Sequence, residues 1–319
     1  MKIGIDIMGG DFAPESAVLG AIEAYKILPA HQNIVLIGNK NLARPFFQSK
    51  DFNPDLIEFI HTEEVISMAE SPTRAITKKP NSSLALGFEL LLQGKIDSFA
   101  SAGNTGAMLV GCLLSVKSIP GVIRPALTTI VPKLKGGMGL LLDVGVNADC
   151  KADSLVQFAI LGKIFVEKVY KLQNPRVGLL NIGEEEEKGN MLMQSAFPLM
   201  KESELFNFIG NVEGRDLFND KADIIVCDGF TGNAMLKLAE SFYEITMLKG
   251  FKDEFFDRCN YEQYGGSPIL GVNAPVIVGH GISTAEAIKN MIFLSRDVII
   301  TDLVEDVKNA FLCFLDTSN

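Results

Sequence analysis

The chain has 319 residues, of which 47% are hydrophobic and 21% charged, and this balance excludes a disordered, collagenous or coiled-coil protein. Its formal net charge of −10 argues against a surface built to lie along nucleic-acid phosphates, so we expect no nucleic-acid partner. The longest uncharged apolar run, 107–116, is much shorter than the roughly 20 residues that cross a bilayer.

Two features of the sequence predict a cytoplasmic protein. Asp6 occupies a position where a signal peptide would need its apolar core, so export is not expected. The cysteines are odd in number, are scattered and form no C-x-x-C pair, which is typical of reduced, buried thiols. They are Cys112, Cys150, Cys227, Cys259 and Cys313.

Short runs rich in Val, Ile and Leu alternate with polar glycine-containing turns and helical patterns, as in parallel strands joined by helices. The predicted strands are 2–7, 33–38, 56–61, 98–101, 126–131, 139–143, 176–182, 222–228 and 275–280. The predicted helices are 14–28, 83–93, 105–117, 152–172, 190–201, 232–249 and 284–315. Because no linker, low-complexity tract or repeat divides the chain, we expect one α/β unit over residues 1–319.

The strand-to-helix turns are the places where chemistry is expected, because ligands of open parallel sheets bind beyond the carboxyl ends of the strands. Five such turns combine glycine with Asn, Thr, Ser or Lys, namely 6–11, 101–106, 181–190, 228–233 and 280–284. Glycine lets backbone N–H groups approach a ligand, and the following helix N-terminus adds partial positive charge. Together the turns predict a pocket for phosphate or another oxyanion.

Three side chains in these turns are candidates for the chemistry itself. Lys188 is the one cation there, and its charge suits an anionic nucleophile or an oxyanion, although it could instead pair with Glu184 or Glu185. Asn233 could donate to the same ligand or could cap a helix. His280 is either a structural histidine or a general acid or base.

The remaining ligand candidates are polar or glycine residues of the same turns. They are Asp6, Gly9, Gly10, Asp11, Asn104, Thr105, Asn181, Asn190, Asp228 and Thr231. Asp6 and Asp11 could together hold a cation, and Asp11 could equally cap the helix that follows. Asn104 and Thr105 could likewise be helix caps. Glu185 and Glu186 are expected on a solvated face.

Several motifs of other enzyme classes are absent. The sequence has no G-x-x-x-x-G-K-[ST], no G-x-G-x-x-G after the first strand, no H-E-x-x-H and no G-x-S-x-G. P-loop, dinucleotide-binding and nucleophile-elbow chemistry therefore lose support. Residues 4–11 superficially resemble the phosphate loop of actin-like sugar kinases, but that loop joins a strand hairpin, whereas a helix is predicted here.

Six segments follow one another in a recognisable order. They are 5–14 (IDIMGGDFAP), 101–107 (SAGNTGA), 142–147 (LDVGVN), 178–185 (GLLNIGEE) with 188–190 (KGN), 227–233 (CDGFTGN) and 264–271 (YGGSPILG). In this order they resemble the phosphate acyltransferase family of bacterial phospholipid synthesis, also called acyl-ACP:phosphate acyltransferase or PlsX. Six ordered matches are a far more specific signal than a single glycine loop.

The resemblance implies transfer of a long-chain acyl group from acyl carrier protein to inorganic phosphate, with no metal or redox cofactor. It implies an α/β/α sandwich with a largely parallel sheet, similar to isocitrate and isopropylmalate dehydrogenases and phosphotransacetylases, and a homodimer. A membrane glycerol-3-phosphate acyltransferase would act downstream. The family's important lysine and asparagine fall on Lys188 and Asn233.

Two other functions remain open. A phosphotransacetylase-like enzyme that uses coenzyme A thioesters would need the same turns, and a scaffold could bind the carrier protein without turnover. Carrier protein is acidic, so a basic patch is expected to dock it, with a solvated face as the alternative. The patch residues are Arg74, Lys78, Lys79, Lys117, Arg124, Lys133 and Lys135.

The segment 234–263 is shorter than the helical hairpin that the family commonly carries there. Helical spacing would place Phe251, Phe255 and Phe256 near one face, where they could touch a membrane. Because acidic residues interrupt this segment, we expect at most weak peripheral membrane contact. We favour the interpretation that these rings close the core or a dimer contact.

Overall fold

A computed structural model describes residues 1–316, apart from the side chains of residues 261 and 313–316. The strands are β1 (Lys2–Asp6), β2 (Asn33–Gly38), β3 (Glu58–His61), β4 (Ser98–Ser101), β5 (Ala126–Pro132), β6 (Met138–Leu142), β7 (Arg176–Leu180), β8 (Asn207–Val212), β9 (Ile224–Val226), β10 (Ser267–Leu270) and β11 (Val276–Val278). The helices are α1 (Glu15–Tyr25), α2 (Lys40–Ser49), α3 (Pro72–Lys78), α4 (Ser83–Leu92), α5 (Thr105–Ser115), α6 (Ala152–Val169), α7 (Met191–Glu202), α8 (Gly229–Lys249), α9 (Glu254–Arg258), α10 (Ala285–Ile300) and α11 (Leu303–Asp316).

The chain folds into two compact units. The first contains Met1–Lys117, Tyr261–Pro268 and Val272–Asp302. The second contains Ser118–Asn260, Ile269–Gly271 and the chain from Leu303 onward. The prediction of one architectural unit over residues 1–319 stays a prediction.

The first unit is built on parallel strands in the order β3-β2-β1-β4-β11. The middle of strand β1 is buried on both faces of the sheet, and Ile3 and Ile5 are completely buried. Helices α1, α2 and α10 pack together, and α3, α4 and α5 form another packed group. The strands β1, β4 and β11 end at the same edge, so their turns open side by side.

The second unit has the strand order β5-β6-β9-β7-β8, in which β5 and β6 are antiparallel and the other pairs are parallel. Strands β6, β9 and β7 therefore end at one edge. Strand β8 carries a bulge: Val177 pairs with Phe208 and Leu179 with Asn211, so β8 has one more residue than β7 between these pairs.

The α/β class with mostly parallel strands is confirmed. Several elements were missed, because β8 and β10 contain Gly, Asn or Pro and α2 has Pro45 in its interior. The missed elements are β8, β10, α2, α3 and α9. The single helix predicted over 284–315 is wrong, since α10 ends at Ile300 and the chain turns at Asp302, which has a φ of 51°.

The cysteine thiols are free wherever their side chains are described. Cys112, Cys227 and Cys259 are buried and Cys150 is half-buried, while the side chain of Cys313 lies outside the described residues. Burial raises the pKa of Cys112 to about 12, so this thiol stays protonated. Within residues 1–316, we find no helix with the length and apolar character that a membrane span requires.

Candidate active site

The turn after β1 is organised around the buried carboxylate of Asp6. Its Oδ2 accepts a hydrogen bond from the Ser101 hydroxyl at 2.7 Å, and its Oδ1 accepts one from the Met8 N–H at 2.9 Å. The Ser101 hydroxyl in turn accepts the Gly103 N–H at 2.9 Å. Burial raises the pKa of Asp6, although these hydrogen bonds oppose the shift. Asp6 thus joins the turns that follow β1 and β4.

Asn104 begins helix α5 and anchors a neighbouring loop. Its Oδ1 accepts the Ala107 N–H at 3.0 Å, as a helix cap does. Its Nδ2 donates to the Ser67 carbonyl at 3.2 Å and to the Glu70 carbonyl at 2.9 Å. Asn104 therefore fills the cap role that the sequence left open, while Thr105 is exposed at the first helical position.

The glycine turn after β1 also meets the turn after β11. The Asp11 N–H donates to the Gly281 carbonyl at 2.7 Å, and Gly9 and Gly10 lie between this bond and Asp6. Asp11 is exposed and its side chain does not cap helix α1, so the capping alternative is wrong. His280 is half-buried beside the same turn, and its Nδ1 accepts a long hydrogen bond from Ile282 N–H at 3.5 Å.

In the second unit, the turn after β6 is built on Asp143, which is completely buried. Its carboxylate accepts the Leu127 N–H at 3.0 Å, the Asn147 N–H at 2.6 Å and the Asn147 Nδ2 at 2.8 Å. Asp143 belongs to the segment 142–147 that resembles the family, but it was not among the predicted site residues. The available signal was a carboxylate directly after a buried strand and two residues before Gly145.

Helix α8 starts against this turn. Its cap is Asp228, whose carboxylate accepts the Thr231 N–H at 2.8 Å and the Thr231 hydroxyl at 2.7 Å. A Cβ on Gly232 would overlap the Asp143 carbonyl, so only glycine allows the helix to approach so closely. Because Asp228 is the cap, the helix begins at Gly229, three residues earlier than predicted.

Asn233 consequently lies inside helix α8, and the alternative that it caps the helix is wrong. Its side chain is exposed, and its Oδ1 lies 3.8 Å from the position that a Cβ on Gly145 would take. The Asn233 amide has no hydrogen-bond partner among the described residues. It is available to a ligand at the edge where β6 and β9 end.

Lys188 lies in the turn 181–190 between β7 and α7, and side-chain amides hold the backbone of this turn. Buried Asn181 donates from Nδ2 to the Lys188 carbonyl at 3.1 Å. Gln194 donates from Nε2 to the Glu187 carbonyl at 2.8 Å. Asn190 caps α7 by accepting a backbone N–H at 3.0 Å. The turn is therefore fixed by bonds that do not use the Lys188 side chain.

The surface-pair alternative for Lys188 is also wrong. Glu184 pairs with Lys221 at 2.6 Å, and no ion pair joins Lys188 to Glu185 among the described residues. Glu185 and Glu186 are exposed as predicted, and Glu186 pairs with Lys201 at 2.5 Å. The exposed Lys188 ammonium has no hydrogen bond or ion pair with any side chain or backbone group that the structure describes. Its positive charge remains available at the same edge as Asn233.

Large apolar side chains are exposed beside these two polar groups. Ile182 is 80% exposed in the Lys188 turn, Met191 is 85% exposed at the start of α7, and Phe230 is 72% exposed at the start of α8. Apolar side chains exposed in or next to the turns that carry Lys188 and Asn233 are compatible with a surface that binds a partly apolar ligand.

Lys133 must be removed from the predicted docking patch. It is only 4% exposed, and its ammonium donates to the carbonyls of Leu217 at 3.3 Å and Ala222 at 2.8 Å. Burial lowers the pKa of Lys133 to about 8. Other members keep accessible charge, and the exposed ones are Arg74, Lys78, Lys117, Arg124 and Lys135. Lys79 pairs with Glu70 at 2.7 Å.

The phenylalanines of the shortened segment do not share one helical face. Phe251 is 64% exposed and lies between helices α8 and α9. Phe255 packs edge-on against Phe218, with 5.4 Å between ring centroids, and also contacts Phe256. Two of the three rings therefore contribute to packing within the second unit.

The amino-acid sequence is similar to those of known proteins along most of its length. The profile of the family described as fatty acid synthesis protein matches residues 1–255. The phosphate acyltransferase of Dictyoglomus turgidum is 42% identical over 318 residues, covering 94% of each chain. That of Clostridioides difficile is 40% identical over 339 residues, covering 100% of this chain and 98% of the relative.

Two solved structures resemble the fold. A phosphotransacetylase from Streptococcus pyogenes superposes with a TM-score of 0.65 at 16% identity, covering 96% of this chain and 94% of that one. The EutD phosphotransacetylase from Staphylococcus aureus gives a TM-score of 0.63 at 17% identity, covering 94% of each chain. At these identities the likeness concerns the fold alone.

Proposed function

The chain belongs to the fatty acid synthesis protein family, whose relatives described above are phosphate acyltransferases, and we propose that it transfers a fatty acyl group from acyl carrier protein to inorganic phosphate. The product is an acyl phosphate for phospholipid synthesis. Membership of this family makes the chain an acyltransferase enzyme.

In this reaction a phosphate oxygen attacks the carbonyl carbon of the acyl thioester. Collapse of the tetrahedral intermediate forms the acyl phosphate, breaks the carbon–sulfur bond and releases the carrier's thiolate. We assign Lys188 and Asn233 to hold phosphate or the developing oxyanion. By comparison with the removal of other oxyanion donors, each contributes about 3 kcal/mol to the transition state. No covalent enzyme intermediate is required.

This proposal rests on the lack of a described bonding partner for these two side chains. Most polar groups of the surrounding turns are used in caps or loop bonds, whereas the Lys188 ammonium and the Asn233 amide have no described partner. Donors whose backbones are already held in place need little reorganisation when negative charge develops in the transition state. The exposed Ile182, Met191 and Phe230 favour an acyl chain longer than acetyl.

The other turn residues are proposed as phosphate or substrate ligands through backbone N–H groups and remaining side-chain donors. They are Asp6, Gly9, Gly10, Asp11, Asn104, Thr105, Asn181, Asn190, Asp228, Thr231 and His280. The thiolate is a stable leaving group, so an acid such as His280 is optional. We further propose a cytoplasmic homodimer without metal or redox cofactor, which supplies a downstream membrane glycerol-3-phosphate acyltransferase.

The decisive experiment mixes the purified protein with palmitoyl-carrier protein and phosphate and measures acyl phosphate without added metal or nucleotide. We expect turnover that depends on phosphate and persists in a metal chelator. Loss of all activity in the chelator would overturn the cofactor-free part. Turnover with palmitoyl-coenzyme A alone would instead support a phosphotransacetylase-like enzyme, and no turnover with either donor would support a scaffold.

A further inference from the structure

One buried amide outside the proposed catalytic pair is aimed at the Lys188 turn. Asn211, on strand β8, is only 3% exposed, and its Nδ2 donates to the carbonyl of exposed Glu185 at 2.8 Å. The backbone N–H of Lys188 donates to that same carbonyl at 3.2 Å. The Asn211 side chain and the Lys188 backbone therefore share one acceptor, the Glu185 carbonyl.

The bulge in β8 determines where Asn211 points. Side chains alternate between the two faces of a strand, so one extra residue moves every later side chain to the opposite face. The extra residue lies between Phe208 and Asn211, and Gly210 takes a φ of +94° there, which a residue with a side chain rarely adopts. The local backbone is thus arranged so that Asn211, opposite Leu179, reaches the turn.

This arrangement is not what packing alone would favour. The Oδ1 of Asn211 is buried and has no hydrogen-bond partner among the described residues. A buried acceptor without a partner lowers stability, and an apolar side chain at this position would avoid that loss. The amide is therefore better explained by the bond that it donates to the turn than by its contribution to the core.

We propose that Asn211 is a positioning residue for Lys188: it fixes the Glu185 carbonyl, and through it the backbone from which the Lys188 ammonium reaches the anion. This inference rests on the proposed function of Lys188. Loss of the bond would leave the ammonium present but displaced, and a displacement of about 1 Å can cost up to about 10²-fold in rate.

The test is a double-mutant cycle on kcat/KM for phosphate with Lys188→Ala, Asn211→Ala and the double variant. We expect Asn211→Ala alone to lower kcat/KM by about 10-fold or more. In the Lys188→Ala background the same change should alter it by less than about 2-fold, because its effect acts through the missing ammonium. Asn207→Ala, on the same strand before the bulge, is the matched control and should leave activity unchanged.

The possible failures are distinguishable. If Lys188→Ala keeps normal activity, the proposed function of Lys188 fails. If Lys188→Ala is impaired and Asn211→Ala lowers activity by the same factor in both backgrounds, only the positioning role fails. Should Asn211→Ala not fold, Asn211→Leu keeps a similar shape without any donor and takes its place in the cycle. If that variant also fails to fold, Asn211 is a folding residue and the inference is overturned.

Discussion

The turn after β1 and the Lys188 turn use charged side chains in opposite ways. Asp6 is buried, and its carboxylate accepts hydrogen bonds from Ser101 and Met8. Lys188 is exposed, and only its backbone is bonded, to Asn181 and through the Glu185 carbonyl. A side chain whose polar atoms are used internally holds its turn in place, whereas a side chain that the turn leaves unbonded is the one presented to a ligand.

The same contrast appears within the second unit. Asp143 is completely buried and accepts hydrogen bonds from the turn that it starts, while nearby Asn233 is exposed without a described partner. Helix α8 connects the two, because Gly232 lies against the Asp143 carbonyl. Variants of the bonded group should therefore change stability, and variants of the unbonded groups should change activity.

The largest effect is expected for the bonded group. Asp143→Ala should lower the free energy of unfolding by about 3 to 5 kcal/mol, because several buried N–H donors lose their acceptor. Urea unfolding at neutral pH measures this difference. Asp149→Ala removes an exposed carboxylate of the same turn and should cost less than about 0.5 kcal/mol. Equal losses in the two variants would contradict the contrast.

Lys188→Ala should have the opposite signature. We expect turnover to fall by roughly 10²-fold or more, because a preorganised donor to the anion is lost, while the unfolding midpoint stays that of the unmodified protein. Steady-state kinetics with phosphate and acyl carrier protein, together with thermal unfolding, give both quantities. Lys50→Ala, which removes an exposed lysine beside α2, is the control for charge. Near-normal turnover, or unfolding of the variant, would refute the assignment.

The sequence was sufficient to place Lys188 in a strand-to-helix turn, because local signals mark that turn; its catalytic role stays a prediction. A buried strand, then glycine on both sides of the lysine, then an asparagine that caps α7, are features of neighbouring residues. Helix α8 shows the limit of such signals. Its cap residue Asp228 could be read from the sequence, but the helix was predicted to start at Gly232. Gly232 instead lies inside the helix, where it allows close contact with Asp143.

Features that depend on distant residues could not be predicted. Lys133 reads as a surface base, yet its partners Leu217 and Ala222 are 84 and 89 residues away in the chain. Strand β8 has a weak pattern of its own and is defined by pairing with β7. The role of Asn211 depends on a bulge in that pairing, so tertiary structure decides it.

Asn233→Ala tests the second unbonded group. Turnover should fall by roughly 10²-fold, by loss of a donor to phosphate or the oxyanion, with unfolding unchanged since the amide bonds to no described residue. The variant Glu244→Ala changes an exposed polar residue of the same helix and should retain full activity. If Asn233→Ala instead lowers the unfolding midpoint and leaves kcat/KM intact, the asparagine belongs with the structural groups.

The smallest effect is a pH dependence of the free energy of unfolding, which distinguishes the buried Lys133 from the exposed Lys188. Burial lowers the pKa of Lys133 to about 8, below its ordinary value of 10.5, with nearby Asp223 opposing the shift. Between these values the unfolded chain holds a proton that the folded chain has released, so the free energy of unfolding rises with pH across this window.

This gain in the free energy of unfolding is on the order of 1 to 3 kcal/mol by pH 10. Lys133→Met removes the titrating group, so the urea-unfolding free energy of the unmodified protein minus that of the variant should increase by this amount from pH 7.5 to 10. Lys188→Ala, which removes an exposed lysine with no described partner, is the control and should show no such change with pH. A flat difference for Lys133→Met would mean that the buried ammonium is solvated, and would break the contrast between the bonded and the unbonded lysine.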